Sequence, residues 1–109
     1  MNPRKVKNAV IANSGTKSSA VETGVDASVV AIVTPSSLTG TSFTFEGSVD
    51  GSTYLPLYNE GTAYSVTVGT SRYVALDPAV MCGLQFIKIV SGSAEAAERT
   101  IQVVLRDVA

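Results

Sequence analysis

Turn-forming residues cut this chain of 109 residues into short pieces at even intervals. Asn13-Ser14-Gly15, Gly24, Pro35-Ser36-Ser37, Asp50-Gly51, Glu60-Gly61 and Gly69-Thr70-Ser71 each close a stretch of alternating or continuous apolar residues. Regular short spacing of this kind predicts an all-β sandwich or barrel rather than helices. The apolar residues between the breaks agree with it. The chain holds 16 Val, 13 Ser, 11 Thr and 9 Gly and no Trp. Val and Thr carry two heavy atoms on Cβ, which costs rotamer freedom in a helix and packs well on a pleated sheet.

Read along the chain, Val6–Ala12, Ser19–Thr23, Ser28–Thr34, Thr41–Val49, Tyr54–Tyr58, Ala63–Val68, Arg72–Leu76, Leu84–Val90 and Arg99–Val108 give eight or nine strands. Ser28–Thr34 is nearly continuous in apolar residues, the pattern of a strand covered on both faces. Thr41–Val49 alternates with period two, which places Phe43, Phe45, Gly47 and Val49 on one face and Ser42, Thr44, Glu46 and Ser48 on the other. Asp50-Gly51 then predicts a tight hairpin turn, since Gly accepts positive φ and Asp tolerates it. Tyr64, Val66 and Val68 share a face, as do Ile87 and Ile89, and Ile101, Val103 and Leu105. The expected core is Phe43, Phe45, Val49, Ile87, Ile89, Ile101, Val103 and Leu105. One helical turn is expected near residues 78–82, with Asp77 as cap, Pro78 at the first position and Gly83 as stop.

The length suits one domain. Residues 1–17 read as a basic N-terminal arm or first strand, and residues 18–109 as a single β-sandwich. Arg4, Lys5, Lys7 and Lys17 give the first segment a charge of +4 with no acid, whereas the remainder holds four bases and nine acids, a charge of −5. A basic end on an acidic body is a candidate docking arm, with Arg4, Lys5, Val6, Lys7 and Val10 as its contact residues. The net charge of −1 gives no reason to expect nucleic acid as a partner. No apolar run approaches a membrane span, and the basic N-terminal residues precede no signal-type apolar stretch, so a cytoplasmic origin is expected.

Catalytic chemistry finds little support. His is absent, and with it the commonest general base and transition-metal ligand. Cys82 is the one cysteine, which excludes an internal disulfide and a Cys/His zinc site; it reads as a small buried apolar residue. Asp50 and Glu60 precede glycines but lack the closely spaced acids of a calcium loop. No catalytic, metal or cofactor residue is therefore expected, and a small-molecule ligand is not expected either. Tyr54 and Tyr58 are the candidate aromatic surface, with Pro56 between them marking an edge strand.

The stretch Phe43-Thr-Phe-Glu-Gly-Ser-Val-Asp-Gly-Ser-Thr-Tyr-Leu-Pro-Leu-Tyr58 resembles the strand–hairpin–strand pattern of jelly-roll modules found in discoidin-like binding domains and in small structural proteins of tailed bacteriophages. Ile32–Gly40, Leu76–Leu84, Phe86–Gly92 and Arg99–Leu105 are similar to successive segments of the phage proteins. The resemblance covers roughly residues 19–106. It departs from the discoidin side in having Tyr54 where Trp is common, and in lacking the loop aromatics and cations that contact a ligand. The resemblance implies a jelly-roll virion component, a head decoration or cement protein that binds the major capsid protein on the outer surface and self-associates, commonly as a trimer. The alternative is a carbohydrate- or receptor-binding module of a phage tail or fibre.

Overall fold

The computed structural model describes residues 4–23, 27–81 and 83–107. Cys82, expected to be buried, lies outside the described residues. In chain order the strands are β1 (Arg4–Ile11), β2 (Val21–Glu22), β3 (Ala27–Val33), β4 (Ser42–Ser48), β5 (Leu55–Pro56), β6 (Tyr58–Asn59), β7 (Thr62–Ala63), β8 (Ser65–Thr67), β9 (Tyr73–Ala75), β10 (Phe86–Ser91) and β11 (Arg99–Asp107). The helical turn α1 (Pro78–Met81) lies between β9 and β10. Asp77 starts it: its Oδ1 accepts the Ala79 N–H at 3.0 Å, and its carbonyl accepts those of Val80 and Met81.

One sheet runs β1-β11-β3-β9 and the other β2-β10-β4-β5, with β8 also pairing β4 and β6–β7 forming a separate hairpin. The pairs are antiparallel. This order interleaves the first and last thirds of the chain in both sheets, which is the double Greek key of a jelly roll. Eight positions of that fold account for the expected strand count. The remaining strands arise because residues 55–67, which read as two strands, break at Pro56 and again at the β6–β7 turn.

The two sheets close on one core. Phe43 and Phe45 from β4, Ile87 and Ile89 from β10, and Ile101, Val103 and Leu105 from β11 are all buried. Val29, Ile32, Ile11 and Met81 complete the apolar layer. Burying each such side chain is worth about 1.5–3 kcal/mol. The β3 run departs from strict alternation through a bulge: Leu105 pairs Val29 while Val104 pairs Ala31, leaving Val30 as the extra residue. The Val30 carbonyl accepts the Leu76 N–H at 3.0 Å instead. The bulge brings both Val29 and Ile32 to the core, so this continuous apolar segment is buried along most of its length.

Val49 does not join the core; it is 93% exposed. Strand β4 ends at Ser48, whose buried hydroxyl accepts the N–H groups of Asp50 and Gly51 at 3.2 and 2.9 Å. The chain turns there, and the period-two pattern does not carry through the turn. The Asp50-Gly51 connection is also longer than a two-residue hairpin, spanning residues 49–54 between β4 and β5. Gly51 has the expected positive φ, 80°.

The 91–98 loop is fastened from within by Glu95, a carboxylate only 1% exposed. It accepts backbone N–H groups from Thr39 and Gly40 and hydrogen bonds from Ser91 and Arg99.

Candidate docking surface

β5 ends the path of the second sheet, and Pro56 weakens its outer edge as a template for a further strand. Pro56 has no N–H, and Leu57 directs its N–H to the Phe45 carbonyl at 2.9 Å, so the outer edge offers no backbone donor at these two residues. Recognition at this margin is left to side chains. Gly47 faces Leu84, and a Cβ at Gly47 would sit 2.7 Å from Leu84 Cδ2. The missing side chain makes room for Leu84, and beside the pair lies a groove of about 630 Å³ whose walls include Val49, Leu55, Leu57, Tyr58 and Leu84. Val49, Leu55 and Tyr58 are 93, 65 and 61% exposed, a concentration of large apolar side chains in water.

Among the described residues that line this groove, Asp50 is the one charged group. The N–H groups of Thr53 and Ser52 and the Ser48 hydroxyl bind Asp50 Oδ1 at 2.8–2.9 Å and hold its carboxyl below the usual carboxylate range. Glu60 follows in the β6–β7 turn, which places two positive-φ residues in succession, Glu60 at 54° and Gly61 at 81°. Among the described residues no three His, Cys, Asp or Glu side chains gather as a metal site.

The two candidate tyrosines part company. Tyr58 lines the groove. Tyr54 is half-buried, with Lys88 Nζ 4.5 Å from its ring centroid. Of the two, only Tyr58 is among the groove's lining residues, while the Tyr54 ring is covered by Lys88.

The candidate arm residues Arg4, Lys5, Val6, Lys7 and Val10 belong to β1, which pairs with β11 from Arg4↔Arg106 to Ile11↔Arg99. The segment is a strand of the sandwich rather than an arm extending from it, because Ala9 and Ile11 bury in the core and anchor the ladder. Val6 still stands 55% exposed on the outer face, whereas Lys5 and Lys7 share the face of Ala9 and Ile11, where Lys7 Nζ donates to the Glu22 carbonyl. Nothing in the sequence points to the groove, since it depends on Leu84, in the segment before β10, lying across from Gly47 of β4.

No protein-family model matches the sequence, and no curated protein matches it. Similar folds are known. The crystal structure of the SPBc2 prophage-derived protein YomS superposes with a TM-score of 0.63 at 15% identity, covering 98% of this chain and 96% of that one. A chain from the Bacillus endospore appendages, a family of disulfide-linked pili, gives a TM-score of 0.45 at 12% identity, over 99% of this chain and 87% of that one. The Yersinia pseudotuberculosis-derived mitogen gives 0.41 at 12% identity, over 100% of this chain and 88% of that one. At these identities the first likeness establishes a shared fold along the whole chain, and the other two carry no argument.

Proposed function

We propose that this chain is a structural protein of a tailed-phage virion, a decoration or cement protein that docks on the major capsid protein at the outer head surface and stabilises the shell. The observation that carries the reading is the whole-chain likeness to a prophage-derived protein. It agrees with the phage-protein resemblance of residues 19–106 and with the jelly-roll strand order. The composition fits as well: 16% charged residues is low, and the cores of protein interfaces are depleted in charge. In this reading the chain works by binding and not by catalysis, is made in the host cytoplasm, and ends on the virion with copies of itself.

The test is co-sedimentation of the purified chain with undecorated heads of the phage that encodes it. Saturable binding supports the reading; a chain that stays in the supernatant refutes it. The exposed Tyr58 beside a groove favours a second reading, a carbohydrate- or receptor-binding module of a tail or fibre. Retention of a free monomer on a glycan column, lost in Tyr58→Ala, would support that one.

A further inference from the structure

The turn that shapes the groove uses most of the polar groups in its wall. The Ser48 hydroxyl donates to Asp50 Oδ1 and accepts the N–H groups of Asp50 and Gly51, which takes up its one proton and both lone pairs. The Ser52 and Thr53 N–H groups also bind Asp50 Oδ1, at 2.8 and 2.9 Å. These bonds all fall on Oδ1 and leave Oδ2 for a partner. The groups that keep the carboxyl ionised are donors of the turn, and none of them is a cation. A partner therefore meets apolar surface on Leu55, Leu57 and Leu84, the Tyr58 ring, and one negative charge.

A sugar fits this wall poorly, because its buried hydroxyls would find few groups to pair with. An aliphatic side chain beside a cation fits it well. The groove's 630 Å³ lies within the range of about 300–1,000 Å³ that holds a small group or a few side chains. The chain's own basic strand does not present such a pair, since Val6 lies on one face of β1 and Lys5 and Lys7 on the other.

We propose that the groove receives a segment of a partner protein that presents a lysine or arginine beside a leucine, isoleucine or valine. The aliphatic side chain lies against Leu55 and Leu84, and the cation meets Asp50 Oδ2. Side chains make the contact, because Pro56 and Leu57 offer no outward N–H to an added strand. The capsid protein as its source rests on the reading under Proposed function; the recognition chemistry does not.

The test is nuclear magnetic resonance titration of the full chain at low salt with a blocked Gly-Leu-Lys-Gly peptide, with Gly-Leu-Glu-Gly and Gly-Ser-Lys-Gly as controls. The first peptide is expected to shift the resonances of Val49, Leu55, Tyr58 and Leu84. The glutamate control should bind at least about fivefold more weakly, the worth of one exposed charge contact, and the serine control more weakly too. Asp50→Ser, whose hydroxyl can still cap the turn, should erase the preference for lysine over glutamate. Leu55→Ser, at an exposed position, should erase the preference for leucine over serine. Equal binding of the lysine and glutamate peptides by the parent overturns the proposal, as does the absence of shifts at the groove. Groove shifts that grow with the chain's own concentration, without peptide, would give the groove to a second copy and overturn it as well. Head binding is read separately. A parent that fails to bind heads removes the capsid reading and leaves the peptide contact standing. A folded Leu55→Ser that binds heads as tightly as the parent overturns the groove as the docking site and leaves the capsid reading standing.

Discussion

Glu95 Oε2 accepts the backbone N–H of Gly40 at 2.8 Å, across 55 residues of sequence, with both residues buried. Thr39 N–H binds the other oxygen at 2.8 Å, Arg99 Nε lies 3.0 Å from it, and Ser91 Oγ donates at 2.8 Å. The carboxylate thus ties the loop before β4 to the loop before β11, and every partner favours its ionised form. Replacing the carboxylate by an amide keeps one acceptor oxygen but sets an NH2 group against the donors on the other side and leaves the Arg99 guanidinium without its counter-charge. Glu95→Gln should accordingly cost about 3–5 kcal/mol, the range for breaking a buried ion pair from one side. In a domain of this size that lowers Tm by more than about 10 °C. A thermal melt within about 2 °C of the parent would show that the loops hold without the carboxylate.

The same group sets a pH dependence. Burial pushes the Glu95 carboxyl up, but the N–H groups of Thr39 and Gly40, with Arg99 and Ser91, outweigh it and hold the carboxyl at about 2, against an ordinary value of 4.5. Because the folded-state value is lowered, its stabilisation is fully present above about pH 4.5 and is lost as pH falls toward about 2, roughly 3 kcal/mol in all. Denaturant titrations across that window should show stability falling in the parent and falling less steeply in Glu95→Gln. Equal slopes would place the acid sensitivity elsewhere.

Glu60 adopts a φ of 54° at the first central position of the β6–β7 turn, a conformation that Asn tolerates better than Glu. Glu60→Asn should raise stability by about 0.5–1 kcal/mol, read as a higher denaturant midpoint at unchanged slope. A lower midpoint would mean that the Glu60 side chain contributes more than the backbone strain costs.

Phe45 and Val49 lie four residues apart in a stretch that alternates in sequence, yet one is 1% and the other 93% exposed. Phe45→Ala should cost about 3–5 kcal/mol. Val49→Ala should stay within about 0.5 kcal/mol of the parent. Comparable losses from the two would mean that β4 continues past Ser48.

What the sequence disclosed follows the range of the interactions. Ile101, Val103 and Leu105, or Asp77 before Pro78, announce their roles through neighbours two or three positions away, and these are where the structure places them. Val49 misled because a turn led by Ser48 and Asp50 interrupts the period, and side-chain capping is invisible to an alternation count. Glu95 carries no local signal of its role, because its partners Thr39 and Gly40 are more than 50 positions away. The groove was equally hidden, since Gly47 and Leu84 meet only after the sheets form.

The central claim, a decoration protein of the phage head, is tested most directly by imaging virions of the encoding phage by electron cryomicroscopy. The account predicts density matching this jelly roll at repeated positions on the outer head lattice, in contact with the major capsid protein. A head surface bare of it, with copies found at the tail or fibres, would contradict the account.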